Sequence, residues 1–202
     1  MKKTLLLASV AATIFAVNAN ATELNPYISA KMKYVDLTSE YNEQGFSLEL
    51  DDKVLGGSVA LGAALKTNAG TLRAEIEYNK NETAEKSFYN IISGEVDTQS
   101  LMLNAYYDID TGTKLSPYIG AGIGYAKVEG KLTENISGHQ YQSSMDDNTF
   151  AWQVGTGLGY AITENITIDA GYRYMDYGSF DEGFSELDTN AHEIHLGARY
   201  TF

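Results

Sequence analysis

Three histidines, His139, His192 and His195, are the side chains of this 202-residue chain whose ordinary charge change falls near neutral pH. A histidine beside a serine and an orienting carboxylate would support hydrolysis or acyl transfer. His139 has Ser137, Ser143 and Ser144 nearby in sequence, and His192 is followed directly by Glu193. However, His192 and Glu193 are successive residues of an alternating segment, so they point to opposite faces and cannot share one space. No serine stands two residues from His192 or His195, and no nucleophile motif is present. His192 is therefore expected to be an interfacial aromatic, and His195 an interior residue satisfied by its neighbours. With Cys 0, thiol nucleophiles, disulfides and cysteine metal sites are excluded. Asp51-Asp52 and Asp146-Asp147 carry hard-cation ligand chemistry but lack the spacing of a calcium loop, so they read as solvated acids. No catalytic, metal or cofactor site is expected.

The other chemistry is charge set between apolar residues at every second position. Lys31, Lys33, Lys66, Arg73, Arg173 and Arg199 alternate with apolar neighbours, and so do Glu75, Glu77, Asp108, Asp169 and Glu193. Period-two alternation places these charges on one face of strands whose other face is apolar.

Eight such segments follow one another. Asn25 to Val35 sets Ile28, Met32 and Tyr34 against Ser29, Lys31 and Lys33. Val54 to Lys66, Thr71 to Asn79, Thr98 to Ile109 and Pro117 to Val128 alternate in the same way. Phe150 to Ile162 sets Phe150, Trp152, Val154, Leu158 and Tyr160 against Gln153, Gly155, Gly157 and Gly159. Ile166 to Tyr177 sets Tyr172 and Tyr174 against Asp169 and Arg173. The last segment sets His192, Ile194, Leu196, Tyr200 and Phe202 against Glu193, His195 and Arg199. Short turns at 67–70, 110–116 and 163–165 alternate with long polar connections near 36–53, 80–97, 129–148 and 178–189.

Lys2 and Lys3, the apolar run from Leu5 to Val17, and Ala19-Asn20-Ala21 form the three parts of a signal peptide, with cleavage expected before Thr22. Residues 22–202 then form one domain. The apolar run is shorter than a helix needs to span a bilayer, and no later stretch approaches that length. A membrane form of this chain must therefore be a closed barrel, whose strands satisfy every backbone group in lipid. Strands of about ten residues with unequal loop lengths at the two ends suit an eight-stranded antiparallel up-and-down transmembrane barrel. Its short turns and chain ends are periplasmic, and its long connections external.

Pro117-Tyr118-Ile119-Gly120-Ala121-Gly122-Ile123-Gly124-Tyr125, Gly155-Thr156-Gly157-Leu158-Gly159-Tyr160 and the Gly171-Tyr172-Arg173-Tyr174 ending resemble the fifth, sixth and seventh strands of the small eight-stranded outer-membrane proteins. That group holds OmpA-like membrane domains, OmpX-like porin-family proteins and opacity proteins. Tyr200-Thr201-Phe202 resembles the C-terminal assembly signal of such barrels, which implies recognition by the barrel-assembly machinery. Full-length OmpA carries a peptidoglycan-binding domain after the barrel. Nothing of that kind follows Phe202, so tethering to the cell wall is not expected.

Eight strands enclose a bore that side chains can fill, and buried charges there need partners. The inward charges are thus expected to form a polar core of ion pairs, with the glycines of the fifth and sixth strands making room for long Arg or Tyr side chains from across the barrel. Tyr200, Phe202, Trp152, Tyr160, Tyr172 and Tyr174 are expected in the aromatic girdles. Removing Lys2 and Lys3 takes the basic count from 14 to 12 against 27 acids, a net charge of −15 for the mature chain. Asp36 to Lys53 and Gly178 to Thr189 hold much of the acid, and such a rim repels nucleic acid. The expected partners are outer-membrane lipid and lipopolysaccharide, with a host or surface ligand at the loops of a monomer. The expected role is adhesion or other surface interaction, or support of the outer membrane. The alternatives are a narrow channel and a lipid-modifying enzyme.

Overall fold

A computed structural model describes the backbone of residues 24–43, 46–82, 84–88, 92–136, 139–182 and 185–202. Side-chain burial is described for 24–38, 52–82, 97–127, 149–178 and 189–202. The expected signal peptide lies outside the described residues. The strand segments are β1 (Leu24–Glu43), β2 (Phe46–Thr67), β3 (Gly70–Asn81), β4 (Ala84–Phe88), β5 (Ile92–Ile109), β6 (Leu115–Ile136), β7 (His139–Ala161), β8 (Ile166–Glu182) and β9 (Ser185–Thr201). Neighbours in the chain pair antiparallel, β3 also pairs with β5, and β1 pairs with β9. Because β4 continues the line of β3 along β5, the segments make eight staves of one closed sheet.

The closing seam explains the C-terminal alternation. Strand β9 pairs with β1 from Tyr27↔Thr201 to Glu43↔Ser185, and the Phe202 N–H donates to the Pro26 carbonyl at 3.0 Å. The ladder thus continues to the last residue and leaves no open edge in the wall. Outward side chains are apolar and uncovered: Met32 is 75% exposed, Leu61 65% and Ile194 63%. Inward positions of the same strands hold buried charge, including Lys33, Glu77 and Glu193. This inversion of the soluble pattern is stable only with lipid against the outer face. Tyr160, Tyr200 and Phe202 lie near the end with short turns, whereas Trp152, Tyr172 and Tyr174 lie nearer the other.

The short connections are Asn68–Ala69 and residues 110–114 and 162–165. In the second, Asp110 Oδ1 accepts from the N–H of Gly112 at 2.8 Å, and Gly112 takes φ 68°, a left-handed conformation that favours glycine.

The long connections depart from the irregular loops expected of them. Pairing continues to Glu43↔Phe46, Ile136↔His139 and Glu182↔Ser185, and β4 pairs with β5 from Ala84↔Val96 to Phe88↔Ile92. The external segments are hairpin arms that extend the staves. Beyond the lipid a hairpin need not keep one apolar face, so the sequence period weakens while the backbone bonds remain. His139 accordingly opens strand β7 rather than sitting in a loop.

The external arms do not complete the ring. Pairing of β7 with β8 stops at Trp152↔Asp176, and β2 meets β3 for the last time at Gly56↔Asn81, with one further bond from the Glu82 N–H to the Leu55 carbonyl. Beyond these rungs the described backbone forms two separate sheets, β2-β1-β9-β8 and β4-β5-β6-β7.

Candidate functional site

The bore is filled in tiers. At the periplasmic end Arg73 Nε donates to both oxygens of Asp108, at 2.8 and 2.9 Å. Arg199, on the far side of the ring from β5, approaches Asp108 at 3.6 Å and Asp169 at 3.5 Å. The Arg73 guanidinium also lies 4.5 Å from the centre of the Tyr106 ring. In the middle tier Lys31 Nζ meets Glu75 at 3.0 Å and Glu77 at 2.9 Å, and the hydroxyls of Tyr27 and Tyr106 donate to Glu75.

Arg173 spans the bore. From β8 it reaches the opposite stave, donating through Nη1 to Glu77 at 2.9 Å and through Nη2 to Asn79 at 2.7 Å, while its Nε holds Glu193. Lys33 donates to Asn79 at 3.0 Å and lies 3.5 Å from Glu193. Lys31, Lys33, Arg73, Arg173 and Arg199 therefore face Glu75, Glu77, Asp108, Asp169 and Glu193, so the cations and anions of the described lumen balance. Lys66 stands apart from them: it is exposed beside the Asn68–Ala69 turn, where the strand has run out of bore.

Above the ion pairs the inward side chains turn apolar. Val35, Leu37, Met102, Ala126, Ala151, Met175, Tyr177 and Ala191 form a buried cluster, with Val54 packed against it. Asn81 joins the tiers, donating to Thr98 at 2.9 Å and to the Tyr177 hydroxyl at 3.2 Å. Cross-barrel braces below and an apolar plug above fill the bore from the periplasmic turns to the base of the external arms.

The inward glycines make room for rings, but from adjacent staves rather than from across the barrel. A Cβ at Gly62 would strike the Tyr27 ring, one at Gly120 the Tyr106 ring, and one at Gly157 the Tyr118 ring. The right-handed twist lays each inward side chain over its neighbour stave, so the tyrosines lie along the wall. Tyr27, Tyr118, Asn79 and Asn81 belong to the network although charge alternation does not single them out. Their parity was the available signal: Tyr27 shares it with Lys31, Asn79 and Asn81 share it with Glu77, and Tyr118 shares it with Gly120 and Gly122.

The histidines are separated. His192 is exposed on the lipid face, hydrogen-bonded to the Tyr172 hydroxyl and 5.3 Å from the Tyr174 ring, with Trp152 packed on Tyr174 at 5.6 Å. Glu193 is inside, and His195 Nε2 lies 3.0 Å from the Tyr118 hydroxyl. The side chain of His139 is outside the described residues. No group of three or more His, Cys, Asp or Glu side chains that could hold a metal ion is found among the described residues.

A polar, braced interior inside an apolar wall is what an outer-membrane barrel requires, and the comparison with known families agrees with it. The family model for the outer membrane protein beta-barrel domain matches residues 4–202. This chain belongs to the outer-membrane β-barrel family. Its place is the bacterial outer membrane. Outer membrane protein PagN of Salmonella typhimurium is 36% identical over 177 residues, covering 74% of this chain and 73% of PagN. Opacity protein opA66 of Neisseria gonorrhoeae is 29% identical over 147 residues, covering 61% of this chain and 58% of that protein. The chain thus spans less than two thirds of that opacity protein's length. Among solved structures, Neisserial surface protein A superposes with a TM-score of 0.54 at 23% identity, covering 88% of this chain and 97% of that one, which shows the shared fold.

Proposed function

We propose that this outer-membrane barrel is a closed anchor that presents its external hairpins for adhesion or another surface interaction. The observation that carries this reading is the filled bore. Arg173 braces opposite staves and the Val35–Met175 cluster lies above it, so the external arms are the elements left to meet a partner. Their paired backbones favour recognition because less ordering entropy is lost on binding. The acidic residues of 36–53 and 178–189 favour a cationic or metal-bridged surface over nucleic acid.

The remaining parts of the reading fit this anchor. Residues 1–21 act as an export leader that is removed, and residues 22–202 are the barrel domain. Tyr200 and Phe202 present the last strand to the barrel-assembly machinery, and the aromatic girdles fix the depth of the barrel in lipid. The protein works as a monomer without a cofactor and performs no catalysis.

Replacing the tips of the four external hairpins one at a time by a two-residue turn tests the reading. At least one replacement is expected to abolish attachment of expressing cells to a target surface, while the heat-dependent gel shift of the barrel is retained. Attachment that survives every replacement would refute it. In planar bilayers the purified protein is expected to give no discrete conductance steps; regular steps would favour a channel. His139→Ala and His192→Ala are expected to leave the acyl composition of lipid A unchanged by mass spectrometry, whereas a change that depends on either histidine would point to an enzyme.

A further inference from the structure

Where the external wall divides, β7 becomes an edge of the β4-β5-β6-β7 sheet. It keeps its ladder with β6 as far as Ile136↔His139, whereas its ladder with β8 ends at Trp152↔Asp176. Local structure marks that end. Asp176 Oδ1 accepts from the N–H of Gly178 at 2.8 Å, and Gly178 takes φ 80° in the left-handed region that favours glycine. The β8–β9 register shifts between Asp176 and Ser179, and a bulge of this kind bends its strand. Thr149 Oγ1 donates to the Tyr177 carbonyl and ties the two strands at the fork. Above the fork, from His139 to Asn148, β7 pairs on one side only among the described ladders. At the usual strand rise that edge is about 30 Å long.

Every second residue of an edge strand turns its N–H and C=O away from its partner, which leaves a row of backbone donors and acceptors. Sheets blunt such edges with short strands, lysine, proline or a bulge. The other three external edges follow this rule. Strand β4 has 5 residues and includes Lys86, β8 carries the bulge, and β2 includes Lys53 and accepts a further bond from the Glu82 N–H at Leu55. Residues 139–148 contain no Lys, Arg, Pro or Gly, and their register with β6 runs without a shift.

Charge selects the occupant. Residues 139–151 include Asp146 and Asp147, and residues 176–190 of the other fork wall include 5 carboxylates, with no Lys or Arg in either stretch. Behind the edge, residues 127–136 of β6 balance 2 lysines with 2 glutamates. A second copy of this chain would bring the same acids to the pairing, and like charges opposed across a ladder are unfavourable. A basic segment gains both the ladder and the attraction.

We infer that the β7 edge from His139 to Asn148 binds an extended, lysine- or arginine-rich segment of a partner protein as an added strand of the β4-β5-β6-β7 sheet. Main-chain bonds supply the affinity of such an addition, and the side chains of the two strands supply the selectivity. The inference rests on the reading of the external hairpins as the binding elements and names the edge and the partner chemistry.

The test is fluorescence anisotropy of a labelled peptide of about nine residues alternating lysine and threonine, long enough to cover the edge. It is titrated with the refolded barrel, all four hairpins intact, in a neutral detergent. The peptide is expected to bind, and its fully N-methylated analogue, which keeps the charge and lacks the backbone donors, at least about tenfold more weakly. A glutamate–threonine peptide is expected not to bind. Joint Asp146→Asn and Asp147→Asn exchange is expected to weaken binding about fivefold, with the heat-dependent gel shift confirming the fold. Amide hydrogen exchange is expected to slow in residues 139–148 on binding and to stay unchanged in the β1–β2 hairpin. Equal binding of the N-methylated analogue overturns strand addition in favour of plain charge attraction and leaves the hairpin reading standing. Protection in the β1–β2 hairpin instead overturns the place, unchanged affinity of the asparagine variant overturns the charge selection, and no binding of the lysine peptide overturns the whole inference. Cell attachment that survives every tip replacement while the peptide binds as described would refute the hairpin reading alone.

Discussion

Replacing Arg173 by leucine is expected to lower the unfolding free energy of the barrel by about 3–5 kcal/mol. Arg173 touches Glu77, Asn79 and Glu193, and both carboxylates are fully buried. Its loss leaves charge in a confined bore with too few donors, since Lys31 and Lys33 must then neutralise Glu77 and Glu193 from one side. The measurement is the urea midpoint of the refolded protein, followed by its heat-dependent gel mobility. Adding Glu77→Gln in the leucine background is expected to recover more than half of the loss, because it removes the one carboxylate in excess and leaves Lys31 with Glu75 and Lys33 with Glu193. A single-exchange effect within about 0.5 kcal/mol, typical of surface positions, would show that water replaces Arg173 easily and that the bore is not dry.

The second large effect is expected from Gly120→Val. Valine favours strands, so propensity alone predicts a gain. The Cβ, however, would enter the Tyr106 ring, which is fixed by its hydroxyl bond to Glu75 at 3.1 Å and by Arg73 over its face. Overpacking of this kind costs about 1–3 kcal/mol. Tyr106→Ala is also expected to destabilise, through the lost ring and the Glu75 donor. Together the two exchanges are expected to cost less than their sum by about 1 kcal/mol or more, because removing the ring gives the valine room. Strict additivity would mean that Gly120 serves the backbone rather than the tyrosine.

These two tests also separate what was legible in the sequence from what was not. The inward and outward faces were legible because lipid enforces the alternation: the Lys31–Lys33 and Glu75–Glu77 pairs each fall on one parity, and so do their buried positions. The number of staves and the short turns followed from the same signal. The partners were not legible. Arg173 contacts Glu77 because β8 and β3 are opposite in a ring of eight staves, and that distance depends on closure and stagger rather than on local pattern.

The plug escaped notice for a related reason. Val35 stands between Tyr34 and Asp36 and Met175 between Tyr174 and Asp176, so the outward positions mix aromatic with acidic residues and the contrast between parities fades where the plug begins. Contrast is patchy in the external arms, where Phe46, Leu48 and Leu50 alternate with Ser47, Glu49 and Asp51 but most other stretches do not alternate. Polar residues on both faces read as loop, although Asp36↔Lys53 and the rungs beyond it continue the ladder.

The division of the external backbone into β2-β1-β9-β8 and β4-β5-β6-β7 bears on how such a surface changes over generations. An insertion or deletion at one hairpin tip can be absorbed within its own sheet, since the described ladders do not transmit a register shift to the other. The two sheets can diversify separately while the braced wall beneath them stays fixed. Grafting the β6–β7 tip from a relative should therefore be tolerated without matching changes in the β1–β2 hairpin.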